Sequence, residues 1–145
     1  MKRGQFSNIL KDLSKKMVFI VGPRQVGKTW LSKEIAKKFK KSLYLTYDSI
    51  EDRKIISDGL WLPETELLIL DELHKMDGWK NFLKGLYDTR PPGQKIIVTG
   101  SARLDTFRQS GDSLAGRYYI HHLLPFSHAE LKDNDNNTIY RLIDT

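Results

Sequence analysis

A glycine-rich segment, GPRQVGKT at residues 22–29, matches the pattern G-x-x-x-x-G-K-[ST] in full. Backbone N–H groups in a tight loop, backed by a helix N-terminus, suit the dense negative charge of a triphosphate. Gly22 and Gly27 permit unusual backbone angles and close approach of a phosphate. Lys28 would reach the β- and γ-phosphates, and the Thr29 hydroxyl would bind Mg²⁺. The predicted nucleotide-binding residues are Gly22, Pro23, Arg24, Gln25, Val26, Gly27, Lys28, Thr29 and Trp30.

Two adjacent carboxylates follow the apolar run LLIL, at Asp71 and Glu72. Taken alone, such a pair could equally be a solvated turn or a helix cap. Beside a phosphate-binding loop, Asp71 is expected to bind Mg²⁺, usually through water. Glu72 is expected to polarise the attacking water as a general base. The pair therefore favours hydrolysis over most small-molecule kinase chemistry.

A polar sequence ends another apolar run, KIIVTGSAR, near Ser101. A side chain here could touch the γ-phosphate or orient water. Ser101 is the first choice and Thr99 the second, while ordinary turn chemistry remains an equal alternative.

An arginine that stabilises charge on the transferring phosphoryl group is predicted at Arg117, in SLAGRYY. Arg24 and Arg103 are rivals for this role. An exposed arginine in a salt bridge is the alternative interpretation of Arg117. The predicted catalytic residues are Lys28, Glu72, Ser101 and Arg117.

Apolar runs and helical periodicity place most of these motifs at strand ends. The run MVFIV, residues 17–21, is typical of a strand buried on both faces of a parallel sheet. Alternating strands and helices predict an α/β architecture with right-handed crossovers and a ligand at the carboxyl ends of the strands. The predicted strands are 17–21, 42–48, 67–70, 95–100 and 118–123, and the predicted helices are 1–16, 28–40, 79–87 and a short one within 53–61.

The composition is that of a globular protein: 39% of the 145 residues are hydrophobic and 29% are charged. No apolar run approaches the length needed to cross a bilayer, so we expect no membrane partner. There is no cysteine, which excludes disulfides and thiolate metal sites and makes a reducing cytoplasm the expected location. The net charge of +6 raises a nucleic-acid hypothesis, although lysines opposite an apolar helix stripe also form an ordinary solvated face.

Residues 1–131 are expected to form one domain that begins with a leading helix over 1–16. The tail, residues 132–145, starts with a polar turn and ends in a partly apolar segment. We expect it to be the start of a further C-terminal region, with a short disordered terminus as the alternative.

The sequence resembles a large bacterial and archaeal family of P-loop ATPases grouped near the AAA+ and STAND classes. The resemblance lies in GPRQVGKT, LLILDELHKMDGWKNFLKGLYD, IIVTGSARLD, SLAGRYY and LLPFSHAEL, which stand in the family's order. It implies a three-layer α/β/α P-loop NTPase fold of the ASCE type with a mainly parallel sheet. The acidic-pair strand and the sensor strand should lie between the P-loop strand and the second strand. Ser101 would match the sensor, and Arg117 the family's glycine–arginine pair.

The resemblance and the motifs together predict a domain that binds ATP with Mg²⁺ and hydrolyses it. One alternative is a nucleotide-gated switch with slow hydrolysis, and another is the ATPase part of a DNA-associated system. Family members continue into a helical or winged-helix region and a nuclease-like domain. A homo-oligomer formed through that region is a further hypothesis.

Overall fold

The sheet is built from five short strands in a computed structural model that describes residues 3–23, 27–101 and 114–123, with side chains from Gln5 onward. The strands are β1 (Met17–Val21), β2 (Ser42–Thr46), β3 (Leu67–Asp71), β4 (Lys95–Gly100) and β5 (Tyr118–His122). The helices are α1 (Arg3–Leu13), α2 (Lys28–Ala36), α3 (Ile50–Asp58) and α4 (Trp79–Thr89), with a short 3₁₀ helix at Leu73–Lys75.

The strand order is β2-β3-β4-β1-β5, and every neighbouring pair is parallel. The predicted parallel sheet is therefore confirmed. The prediction that β3 and β4 lie between β1 and β2 is also confirmed. Because all five strands run the same way, their carboxyl ends line up along one border of the sheet, the carboxyl edge. Their amino ends line up along the opposite border.

Helices cover both faces of the sheet, which explains why β1 is a continuous apolar run. All five of its residues are buried, and they alternate between two apolar clusters. One cluster joins Phe19 to Ile56 of α3 and Leu83 of α4. The other joins Ile20 to residues of α1 and α2, including Leu31. The result is the expected three-layer α/β/α arrangement.

Local capping shifts several helix boundaries from those predicted. The hydroxyl of Ser49 accepts a hydrogen bond from the Asp52 N–H at 3.2 Å, so α3 begins earlier than the predicted segment within 53–61. Gly59 ends the helix in the left-handed conformation, with φ of 65°. α2 ends at Ala36 and α1 at Leu13, both short of their predicted ends.

The predicted tail, residues 132–145, lies outside the described residues. No described helix is both long and apolar enough to span a lipid bilayer.

Candidate active site

The ends of three central strands bring the predicted phosphate loop beside the acidic pair. Asp71 at the end of β3 is in register with Thr99 of β4, and Val21 at the end of β1 is in register with Gly100. The Gly22 N–H donates to the Gly100 carbonyl at 3.3 Å, so the loop leaves the sheet next to β4. The phosphate loop and the acidic pair, which are far apart in the sequence, are thus neighbours in the structure.

The loop holds its own lysine in a buried position. Lys28 is 9% exposed, and its ammonium donates to the Gly22 carbonyl at 2.6 Å. A buried charge needs such polar contacts, because it has lost most of its hydration. Gly27 adopts the left-handed conformation with φ of 89° at the start of α2, where a residue with a Cβ would be strained. The Lys28 ammonium is therefore held next to Gly22, at the start of the predicted phosphate loop.

The remaining loop residues take varied positions. Pro23 is exposed, and Trp30 is half-buried against the cluster formed with α1 and α2. Thr29 is half-buried in the first turn of α2. Arg24, Gln25 and Val26 lie outside the described residues, as does Arg103.

Both carboxylate oxygens of Asp71 accept hydrogen bonds from hydroxyl groups. Thr99, which is fully buried, donates to Oδ1 at 2.5 Å, and Tyr44 of β2 donates to Oδ2. Burial raises the pKa of the Tyr44 phenol, and the hydrogen bond to Asp71 raises it further. The Thr29 hydroxyl opposes this rise in pKa. Tyr44 is therefore bound to Asp71, one of the two predicted Mg²⁺ ligands.

The donor set at this position fits Mg²⁺. The ion prefers oxygen ligands and is usually held by one or two protein groups together with water and substrate phosphates. Thr29 supplies a hydroxyl from the first turn of α2, and Asp71 supplies a carboxylate at the end of β3, next to the phosphate loop. Mg²⁺ held there would neutralise charge on a bound triphosphate.

Glu72 has a strained backbone. Its φ of 58° and ψ of 31° make it the one residue other than glycine with positive φ in the described ranges. The backbone is held there in part because the Glu72 N–H donates to the Thr99 carbonyl at 2.8 Å. Such strain persists where surrounding structure imposes it, and it is concentrated at functional sites.

The Glu72 carboxylate is mostly buried, with 13% of the side chain exposed. Its Oε2 makes no hydrogen bond within the described part of the chain and lies 3.6 Å from Nδ1 of His74. A buried carboxylate oxygen with an unused lone pair is able to accept a proton from a nearby donor.

The two predicted sensor residues differ in their surroundings. Thr99 contacts Asp71 through its hydroxyl, whereas Ser101 lies half-buried just beyond Gly100, the last residue of β4. Ser101 is therefore at the carboxyl edge of the sheet, as the prediction requires. Its proposed contact with the γ-phosphate stays a prediction.

Arg117 lies at the opposite edge of the sheet from the phosphate loop. Its carbonyl accepts from the N–H of Met17, the first residue of β1, while Gly22 follows the last. Five strand residues span about 17 Å, at roughly 3.3 Å each. Arg117 immediately precedes β5, and β5 runs parallel to β1, so Arg117 lies at the amino ends of the strands while the phosphate loop lies at their carboxyl ends. The structure therefore does not bring Arg117 to the site in its own chain. Action on a neighbouring subunit stays a prediction.

The Arg117 side chain forms a two-pronged ion pair with Asp88 of α4. Nε lies 2.9 Å from Oδ1 and the second nitrogen 3.1 Å from Oδ2. This hydrogen bonding lowers the pKa of Asp88 and raises the pKa of Arg117. The alternative predicted from the sequence, an arginine in a salt bridge, describes the observed contacts.

Tyr44 is not among the predicted site residues, because it belongs to no sequence motif. Its contact depends on strand register: Tyr44 pairs with Ile69, which faces the same side of the sheet as Asp71 two residues later. An aromatic ring with a terminal hydroxyl can span that distance along the strand. The available signal in the sequence is a tyrosine with a polar hydroxyl between two leucines of the strand.

Curated relatives of the chain are themselves uncharacterised. A protein of Methanocaldococcus jannaschii is 28% identical over 132 residues, covering 83% of this chain and 29% of that protein. A protein of Mycobacterium tuberculosis is 28% identical over 102 residues, covering 70% of this chain and 23% of that protein. The chain thus spans less than a third of the length of these relatives.

Solved structures and a family model agree with the described fold. The Holliday junction branch migration motor RuvB of Thermotoga maritima has a TM-score of 0.60 at 20% identity, with 90% of this chain and 47% of that one covered. A Walker-type ATPase of Pyrococcus abyssi has a TM-score of 0.59 at 17% identity, with 91% and 56% covered. A family model described as an AAA domain matches residues 14–132. The chain therefore belongs to the AAA domain family and is an AAA-type P-loop ATPase domain.

Proposed function

We propose that this domain binds ATP together with Mg²⁺ and hydrolyses it to ADP and phosphate. The observation that carries the proposal is the contrast between Asp71 and Glu72. Both oxygens of Asp71 accept hydrogen bonds from hydroxyl groups, whereas Glu72 keeps an oxygen that makes no hydrogen bond within the described residues. The Asp71 carboxylate is held by two donors, and Glu72 keeps an oxygen with a lone pair that can accept a proton.

Binding of the triphosphate rests on the loop and its lysine. The N-terminal turn of α2 would point backbone N–H groups at the phosphates, and Lys28, whose ammonium lies next to Gly22, would add a positive charge. Asp71 and Thr29 would hold Mg²⁺, which supplies charge neutralisation on the phosphates.

Hydrolysis requires a water molecule to attack the γ-phosphorus while the bond to the β–γ bridging oxygen breaks. Glu72 accepts the proton that the attacking water loses. The Glu72 N–H donates to the Thr99 carbonyl, which holds the strained backbone of Glu72 in place. The position from which the Glu72 side chain extends is therefore fixed. Ser101 and Thr99 at the end of β4 are the candidates for sensing the γ-phosphate.

The test is Glu72→Gln, which preserves the shape of the side chain but cannot accept the proton. We expect MgATP binding within about twofold of wild type and single-turnover hydrolysis slower by about 10²–10⁴-fold. Glu64→Gln is the matched control, because Glu64 is exposed and precedes β3 at the other edge of the sheet. If an active wild type and Glu72→Gln hydrolyse ATP at the same rate, Glu72 is not the base.

A nucleotide-gated switch with slow hydrolysis is an alternative supported by the contact between Glu72 and His74. The carboxylate lies 3.6 Å from Nδ1 of His74, and hydrolysis would be slow if attraction to the imidazole kept Glu72 away from the attacking water. Wild-type turnover in seconds to minutes without further factors would argue against this alternative. Slow turnover that His74→Ala accelerates would support it.

An ATPase that acts on DNA is the other alternative. Exposed lysines at the end of α2 and before β2 carry part of the net charge of +6, and they lie at the edge of the sheet opposite Asp71. RuvB, one of the structural relatives, is a branch migration motor. DNA affinity that falls steeply with salt, and falls further when these lysines are replaced, would support DNA contact. The lysines are Lys37, Lys38, Lys40 and Lys41.

A further inference from the structure

Two hydroxyl groups bind the carboxylate of Asp71, the predicted Mg²⁺ ligand at the end of β3. Tyr44 donates to Oδ2 of Asp71, and Thr99 donates to Oδ1 at 2.5 Å. We propose that Tyr44 is a positioning residue of the magnesium site, which sets the direction of the Asp71 carboxylate without binding the metal itself. This inference rests on the proposed binding of MgATP.

The same contacts orient Asp71. A carboxylate offers about four acceptor positions, and Tyr44 and Thr99 occupy one on each oxygen. Two donors on different oxygens prevent the group from rotating about its terminal bond. The remaining lone pairs therefore keep a constant direction. Hydrogen-bonded partners of metal ligands commonly act in this way.

The Tyr44 ring itself makes two contacts that hold it in place. It packs half-buried against the apolar cluster of α1 and α2 on that face of the sheet. The ammonium of Lys33, on α2, lies 4.7 Å from the ring centroid. Neither contact uses the hydroxyl, so removing the oxygen should leave the ring where it is.

The test is Tyr44→Phe, with ADP and ATP affinities measured by calorimetry in EDTA and in Mg²⁺. We expect affinity in EDTA within about twofold of wild type, since the phosphate loop is unchanged. The tightening caused by Mg²⁺ should shrink by about 10–100-fold, the usual effect of removing a partner of a metal ligand. Titration with Mn²⁺, followed by the electron paramagnetic resonance of the free ion, gives a second readout that needs no turnover.

Tyr47→Phe is the matched control, because it removes a hydroxyl from a half-buried tyrosine just beyond the same strand. We expect its Mg²⁺ response to equal that of wild type. An unchanged response in Tyr44→Phe, or a tighter one, overturns the proposal, and a tighter one shows that Tyr44 competes with the metal. A loss of affinity in EDTA as large as the loss in Mg²⁺ also overturns it, because Tyr44 would then support the loop.

Failure of the proposed function gives a different result. A wild-type domain that binds no nucleotide under either condition refutes the proposed function. A wild type that binds nucleotide with no response to Mg²⁺ removes the metal site and the role of Tyr44, and leaves nucleotide binding standing.

Discussion

Replacing Glu72 by glycine should stabilise the fold while abolishing hydrolysis. Glu72 has φ of 58° and ψ of 31°, a left-handed conformation that glycine adopts without steric conflict. For a residue with a Cβ this conformation costs about 1–2 kcal/mol. Glycine also gains conformational freedom in the unfolded chain, which destabilises the folded state by about 0.5–1 kcal/mol. The backbone change alone should therefore favour glycine by about 1 kcal/mol.

Glu72→Ala separates the backbone effect from that of the carboxylate. Both variants lose the mostly buried carboxylate and its contact with His74. They differ in the Cβ, which only alanine must hold in the left-handed conformation. We expect Glu72→Gly to be more stable than Glu72→Ala by about 1 kcal/mol, which is several degrees in Tm for a domain of this size.

Urea unfolding of the two variants without nucleotide measures this difference. Equal slopes of the free energy of unfolding against urea are required, so that the shift in midpoint reports stability alone. If Glu72→Ala is as stable as Glu72→Gly, or more stable, the backbone of Glu72 stores no strain. The conformation of Glu72 would then be no evidence that this site loses stability in exchange for activity.

The remaining predictions concern Lys28 and Arg117. Lys28→Ala should weaken nucleotide binding by about 1.5–3 kcal/mol, since it removes a charged contact to phosphate; equal ATP affinities by calorimetry in a folded variant would contradict this. Arg117→Ala should leave nucleotide affinity unchanged, because Arg117 pairs with Asp88 at the far edge of the sheet. The ion pair lowers the pKa of Asp88 below 3.8, so the stability it adds is fully present above that pH and is lost as pH falls through the lowered pKa. The difference in Tm between wild type and Arg117→Ala should therefore shrink in acid. A difference that stays constant would show that the ion pair with Asp88 is not the source of the stability. If Arg117 acts in trans, a mixture of Arg117→Ala and Glu72→Gln, each inactive alone, should recover turnover.

Local motifs in the sequence were sufficient to predict the phosphate loop and the strands. A loop that binds phosphate through its backbone depends on glycines at set spacing, so Gly22, Gly27 and Lys28 are visible in one short segment. The apolar run of β1 predicted a strand covered on both faces, which the two clusters confirm. Strand direction also carried information: Arg117 precedes its strand, which in a parallel sheet places it away from the carboxyl edge.

Contacts between strands required the tertiary structure. Tyr44 reaches Asp71 only because β2 pairs with β3 in a register that places Tyr44 beside Ile69. Thr99, not Ser101, contacts Asp71 because the register of β3 and β4 places those two side chains opposite each other. A shift of one residue would turn either side chain to the other face. The sequence by itself determined which residues could perform the chemistry, since residue type and local spacing are printed in it. The tertiary structure decided which of them meet, because register is set by packing across the whole sheet.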